Sequence, residues 1–315
     1  MESIDLSTAR RDLSGSIKYR KETRLSKSLA AKWKLRLDSL IQLVSSRLIG
    51  QKAMLETLLI GILADGHVLL RGEPGIGKST AIQSLAEVLG LETVKIRSSE
   101  DFIGANLVVI EEYQFLDPTL RANLMMAMQE GRFIFKNEEF YLDRPFVVLA
   151  AINPGKDEFE TMTPAQLDRF LLFLDVPSNS LEEELAILKQ HQSPRLRLEK
   201  QLCAADVLEI QRMIPGVIIS DHLSRSLVQA CIRLREKLPR QHALSSRAII
   251  GYARACQARA FLNGRTEVTL EDLKSLFLRV VAHRTLAKAD GTFPELIDET
   301  FRWLETQAPD SSKGL

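Results

Sequence analysis

Eight residues, Gly72-Glu73-Pro74-Gly75-Ile76-Gly77-Lys78-Ser79, constrain this chain more than any other feature. They complete the pattern G-x-x-x-x-G-K-[ST], and at average residue usage a chance match in a chain of 315 residues is on the order of one per cent. The flanks fit as well. A strand-like run, His67-Val68-Leu69-Leu70, comes before the pattern, and a helix-like run from Ser79 to Leu89 comes after it. Glycines at 72, 75 and 77 let the backbone curl until successive N–H groups point at one anion. A helix N-terminus behind them adds partial positive charge. Lys78 is then expected to reach the β- and γ-phosphates of a nucleotide, with the Ser79 hydroxyl on Mg²⁺.

Composition narrows the class. Hydrophobic content of 45% and charged content of 26% suit a globular chain with a sizeable core. A net charge of +1 excludes a nucleic-acid polyelectrolyte. No run approaches the roughly 18 apolar residues of a membrane span. The N-terminus lacks the apolar region of a secretory signal. Cys203, Cys231 and Cys256 are far apart and odd in number, which predicts reduced thiols in a cytoplasmic protein.

Four segments are expected. Residues 1–36 are rich in Lys and Arg and sparse in apolar residues, so they read as a basic N-terminal extension. It is either solvated or a docking arm for an acidic partner, an anionic surface or nucleic acid. Residues 37–178 alternate strand-like and helix-like runs. Strands are expected at 67–70, 92–97, 106–110, 146–152 and 170–176, with a hairpin at 132–142. Continuous apolar runs suit a parallel sheet covered on both faces, and hence an α/β fold. Residues 179–307 show only helical periodicity, and 308–315 form a tail.

A second signature closes the strand at 106–110. Leu107-Val108-Val109-Ile110 runs into Glu111-Glu112, two acids where a strand meets a loop. Alone they could be solvated side chains. Downstream of a phosphate loop, one such acid helps hold Mg²⁺ and the next orients the attacking water.

With these motifs the chain resembles AAA+ ATPases of the MoxR branch, from about Leu48 to Leu286. The resemblance is carried by Ile49-Gly50-Gln51, the phosphate loop, Ala127-Met128-Gln129-Glu130-Gly131 and Ala151-Ile152-Asn153-Pro154. It continues through Ala165-Gln166-Leu167-Asp168-Arg169-Phe170, Ser245-Ser246-Arg247 and Val268-Thr269-Leu270-Glu271-Asp272-Leu273. It implies an AAA+ P-loop parallel-sheet core followed by a small all-helical lid, with ATP and Mg²⁺ as cofactors. Glu73, Pro74, Gly75, Ile76, Gly77, Lys78, Ser79 and Thr80 would hold the nucleotide, and Ile49, Gly50 and Gln51 would line its base and ribose pocket. Ser79 and Glu111 would serve the metal and Glu112 the water. Asn153 would be the sensor-1 group, Arg169 an arginine finger acting on a neighbouring subunit, and Arg247 the sensor-2 residue reaching from the lid to the phosphates. The resemblance further implies a ring, with six subunits expected. The ring would remodel a protein client, and the resemblance points to a von Willebrand factor A-domain protein as that partner.

Two features depart from that family. Glu111 stands where an Asp is usual, which predicts slower hydrolysis. The connection 98–105 is also too short for a crossover helix between parallel strands, which commonly needs a dozen residues or more. Either the chain has a true internal deletion, which predicts a sheet lacking one covering helix and an edge strand free to detach, or a segment is missing from the sequence. Two rival readings stay open. One is a nucleotide-switched assembly module with little turnover. The other is a nucleic-acid motor, which the absence of a basic stripe in the core disfavours.

Overall fold

The computed structural model describes residues 25–155, 162–192, 198–237, 244–285 and 293–306. The expected arm as far as Arg24 and the tail at 308–315 lie outside the described residues. Strands β1 (His67–Arg71), β2 (Thr93–Lys95), β3 (Leu107–Ile110), β6 (Val147–Ile152) and β7 (Phe170–Asp175) form one sheet in the order β2-β3-β6-β1-β7. Every pairing in it is parallel. Strands β4 (Arg132–Phe135) and β5 (Glu138–Tyr141) form a separate antiparallel hairpin.

The continuous apolar runs are explained by burial on both faces. Val68 and Leu70, Leu107 and Val109, and Val147 and Leu149 point into one core. Leu69, Val108, Ile110, Val148 and Ala150 alternate into the other, as a period of two requires. The first core is covered by α1 (Lys27–Ser45), α2 (Lys52–Leu63), α3 (Lys78–Leu89), α7 (Ala204–Met213), α8 (Asp221–Lys237), α9 (Ser246–Leu262) and α10 (Leu270–Thr285). The second is closed by α4 (Pro118–Glu130), the hairpin, Phe102 and the short α5 (Pro164–Leu167). Helices α6 (Leu181–His191) and α11 (Phe293–Thr306) complete the described elements.

The helices after residue 178 share the core of the sheet. α10 packs on β7, and α9 packs on β7 and α2. The expected boundary at 178 is thus a change of architecture within one continuous apolar cluster.

Two expectations need correction. The boundary at Arg36 falls inside α1, which begins at Lys27 with the Ser26 hydroxyl accepting from Leu29 N at 3.2 Å. Leu25, Ala30 and Trp33 continue the buried stripe of Leu37, Leu40 and Val44, so Lys32 and Lys34 decorate the outer side of a packed helix. The edge strand is also not detached. β2 pairs with β3 from Thr93↔Leu107 to Lys95↔Val109. The strands are shorter than the apolar pattern suggested, so the connection runs over residues 96–106, long enough for a 3-10 turn at Ser99–Phe102. Phe102 from that turn is fully buried and meets Phe133 edge-on at 5.2 Å between ring centroids. It fills part of the space a crossover helix would cover, while β2 itself stays largely exposed.

The hairpin turns on two residues, Lys136 and Asn137, both at positive φ (51° and 63°), which suits the twist of a two-residue loop. Phe133 is buried and stacks on Phe140, whereas Ile134 and Tyr141 face outward.

Candidate nucleotide and metal site

The phosphate loop leaves the C-terminal end of β1 and enters α3. Gly77 caps that helix at φ 93° and offers no side-chain acceptor to its first N–H groups. Gly75 has φ 88°, and a Cβ there or at Gly77 would meet nothing within 4 Å, so the loop is open on its outer side. Gly72 is tight instead, because an added Cβ would lie 2.5 Å from Ile76 Cδ1. Free helix N–H groups, an open cradle and a buried ammonium together fit a polyphosphate.

Lys78 supplies the ammonium. It is 9% exposed, and its Nζ donates to Gly72 O and, at 2.8 Å, to Glu73 O. Burial holds its pKa below the usual lysine value, opposed by the charge of Glu73. Ser79 Oγ donates to Glu111 Oε1 at 2.7 Å, and Lys95 Nζ donates to the same oxygen at 2.8 Å. These two hydrogen bonds hold the Glu111 carboxyl below its ordinary range. Asn153 Nδ2 donates to Glu112 Oε1 at 3.2 Å. Pro74, Gly75, Gly77, Lys78, Ser79, Thr80, Glu111, Glu112 and Asn153 line one open cleft of about 460 Å³. The hydroxyl–carboxylate pair of Ser79 and Glu111 is a donor set suited to Mg²⁺, a hard cation that prefers oxygen ligands.

Other expected site residues stand elsewhere. Gln51 is buried and donates to Asn179 Oδ1 at 2.8 Å, and a Cβ on Gly50 would lie 2.5 Å from the Glu183 carboxylate. The Ile49-Gly50-Gln51 segment, expected at the base and ribose, braces the entry to α6, outside the lining of the phosphate cleft. Its Gly50 sits at φ 73°, which lets the chain pass close to α6.

Arg169 precedes β7, whose residue Phe170 pairs with His67 at the start of β1. It is thus at the opposite end of the sheet from the phosphate loop. Arg169 Nη2 donates to Gln129 Oε1, and its Nη1 is buried with no hydrogen-bond partner among the described residues. Burial, and then the neighbouring charge of Arg247, hold its pKa down.

Arg247 lies at the same end of the sheet. Expected to reach from the lid to the phosphates, it stands exposed in the first turn of α9, beside Arg169 and away from the phosphate cleft of its own chain. The reason is the N-cap of α9. Ser245 Oγ accepts from Ala248 N at 3.1 Å and donates to Asp168 Oδ2 at 2.9 Å, which pins the helix to the Arg169 end of the sheet. Asp168 also accepts from Arg284 Nε at 3.0 Å, so it is Arg284 that pairs with this acid.

Lys95, Arg284 and Asn179 were not singled out in the sequence. Lys95 becomes visible only through the parallel register that sets β2 beside β3. Arg284 lies 116 residues beyond Asp168 and could not be linked to it without the fold.

Comparison with known proteins agrees with this geometry. Residues 102–172 match the family described as "ATPase family associated with various cellular activities (AAA)", and residues 232–300 match the AAA lid domain. A crystal structure from Cytophaga hutchinsonii assigned as an ATPase superposes with a TM-score of 0.76 and 25% identity, covering 89% of this chain and 96% of that one. The fold and the cleft therefore define an AAA+ protein. Among its relatives, YeaC of Bacillus subtilis is 27% identical over 82% of this chain and 89% of its own length. Chaperone MoxR1 of Mycobacterium tuberculosis is 26% identical over 83% and 79% respectively. The chain belongs to the MoxR type of the AAA+ ATPase family.

Proposed function

We propose that this protein hydrolyses Mg-ATP as a ring of identical subunits and uses the cycle to remodel a protein client. The observation that carries the reading is the pairing of two half-sites on one subunit. Ser79, Glu111, Glu112 and Asn153 surround Lys78 at one end of the sheet. Arg169 and Arg247 stand together at the other end. Neither arginine lines its own cleft, and an arginine finger is effective only close to the γ-phosphate. Both would therefore act on the nucleotide of the next subunit, and the exposed side chain of Arg247 supports a partner supplied from outside the chain.

Within the cleft, Glu112 would accept the proton of the attacking water, and its hydrogen bond to Asn153 would set its orientation. Lys78 and the N-terminus of α3 would bind the phosphates. Bound Mg²⁺ would be held by Ser79 and Glu111 and would neutralise charge on the phosphate oxygens. Helix α6 buries none of its side chains and exposes Leu181, Leu185 and Leu188 along one face, which supports association with further protein. The chaperone relative supports a client that is a protein, and the family resemblance suggests a von Willebrand factor A-domain partner. No helix among the described residues is long and apolar enough to cross a membrane. The buried thiols Cys231 and Cys256 fit a reducing, cytoplasmic setting.

A second reading is a nucleotide-switched assembly module with slow turnover, favoured by the ammonium of Lys95 on Glu111. Steady-state ATP hydrolysis over a protein-concentration series, with Lys78→Ala as blank, separates the two. Specific activity rising with concentration supports the ring ATPase. Nucleotide binding without turnover above the blank supports the switch.

A further inference from the structure

Lys95 ends β2 and faces Val109 across the parallel pair. Glu111 is two residues beyond Val109 and so falls on the same face, one diagonal step away, within reach of a long side chain. The result is a three-group contact. A single oxygen, Glu111 Oε1, accepts from Lys95 Nζ at 2.8 Å and from Ser79 Oγ at 2.7 Å. The turn after the strand is fixed, because Arg97 N and Ser98 N both donate to the Asp101 carboxylate, at 2.6 and 2.7 Å. Lys95 therefore projects from an anchored strand end, over an edge that the short connection leaves uncovered.

We infer that Lys95 is a resident cation of the metal site, which holds Glu111 against Ser79 and competes with the divalent ion for that carboxylate. The inference rests on the nucleotide reading above. An ammonium already bound to Glu111 Oε1 must be displaced, or tolerated at close range, when a divalent cation approaches the same oxygen. Both routes raise the free energy of the metal-bound state. The same positive charge lowers the cost of binding a nucleotide without its metal, because it offsets phosphate charge at the mouth of the cleft. Lys95 thus weakens the coupling between metal and nucleotide. The pair is half exposed (61% for Lys95 and 46% for Glu111), so solvent screening keeps the effect modest.

Lys95→Met preserves length and removes the charge, and Lys95→Arg retains it. The affinity of the full chain for Mn²⁺ in the presence of ADP would be read by electron paramagnetic resonance. Binding of a fluorescent ADP would be read in EDTA. Lys95→Met is expected to tighten Mn²⁺ by roughly two- to fivefold and to weaken metal-free ADP by a similar factor, with Lys95→Arg close to wild type. Unchanged Mn²⁺ affinity in Lys95→Met, with nucleotide still bound, overturns the role of Lys95 alone. No nucleotide bound by the wild type, with or without Mn²⁺, overturns the phosphate-loop reading on which it rests.

Discussion

Arg169 and Lys78 lie at opposite ends of the central sheet. β1 and β7 run side by side from His67↔Phe170 to Arg71↔Asp175; Arg169 precedes the first pair, and the loop carrying Lys78 follows the second. Five residues of strand at about 3.3 Å each put roughly 15 Å of sheet between them. Each chain therefore carries the phosphate cleft at one end of the sheet and the arginines at the other; in the proposed ring, that divides the site between neighbours.

Within the cleft, the Asn153–Glu112 hydrogen bond predicts two graded effects. Glu112→Gln should retain nucleotide and lose turnover. Asn153→Ala should bind nucleotide normally and slow kcat by roughly 100-fold, the scale of losing one preorganised donor. Single-turnover hydrolysis and equilibrium binding would check both. Full activity in Asn153→Ala would remove that residue from the mechanism.

The arginine end should separate stability from function. Arg284 is buried and donates to Asp168 Oδ1 at 3.0 Å and to Phe170 O at 2.7 Å. Arg284→Ala takes the charged donor away from the Asp168 carboxylate and from buried carbonyls and should cost about 3 kcal/mol or more. Arg247 is exposed, so Arg247→Ala should change stability by less than about 0.5 kcal/mol while lowering hydrolysis by assembled protein. Urea unfolding and ATPase assays on the same preparations would test the contrast.

Asp272 is a buried anion between two arginines. It accepts from Arg259 Nη1 at 2.7 Å, from Arg265 Nη1 and Nη2 at 2.6 and 2.7 Å, and from Thr269 N at 2.8 Å. Burial alone would raise its pKa. The Arg265, Thr269 and Arg259 hydrogen bonds outweigh burial and bring it below the ordinary aspartate value. Asp272→Asn should destabilise the helical region by about 3 kcal/mol, because it leaves Arg259 partly buried without its full counter-charge. A urea midpoint equal to wild type would contradict this.

Stability should fall on mild acidification. His67 is buried, accepts from Val148 N at 3.0 Å through Nδ1, and has Nε2 3.3 Å from Met128 O. Burial pushes its pKa from 6.5 down to about 4. Between those values the unfolded chain binds the proton and the folded chain does not. Stability therefore rises with pH across that window, and is lost by on the order of 3 kcal/mol as pH falls from 6.5 to 4. Buried His283 is shifted in the same direction. Urea unfolding at several pH values should show a shallower slope in His67→Gln than in wild type, and equal slopes would contradict the assignment.

The phosphate loop, the acid pair after β3 and the buried strands were legible because each is local: a glycine spacing, a strand end, an apolar run. The helix containing Trp33 was hidden by the lysines and arginines around it, which masked a stripe of one apolar residue per turn. The position of Arg247 was not legible, because it depends on the Ser245–Asp168 hydrogen bond across 77 residues of sequence. Lys95 was hidden for the same kind of reason, since its partner is set by strand register. The edge strand was misjudged because 92–97 and 106–110 overstate the strands, which left too few residues to connect them.

The divided site is tested most directly by mixing two inactive variants. Glu112→Gln keeps its arginines but cannot activate water, and Arg169→Ala keeps an intact cleft but no finger. Each alone should be near background. If the arginine acts on the next subunit, an equimolar mixture allowed to reassemble should recover about a quarter of the wild-type rate, since random neighbours complete one site in four. A mixture no more active than its components, or an Arg169→Ala protein active alone, would contradict the account.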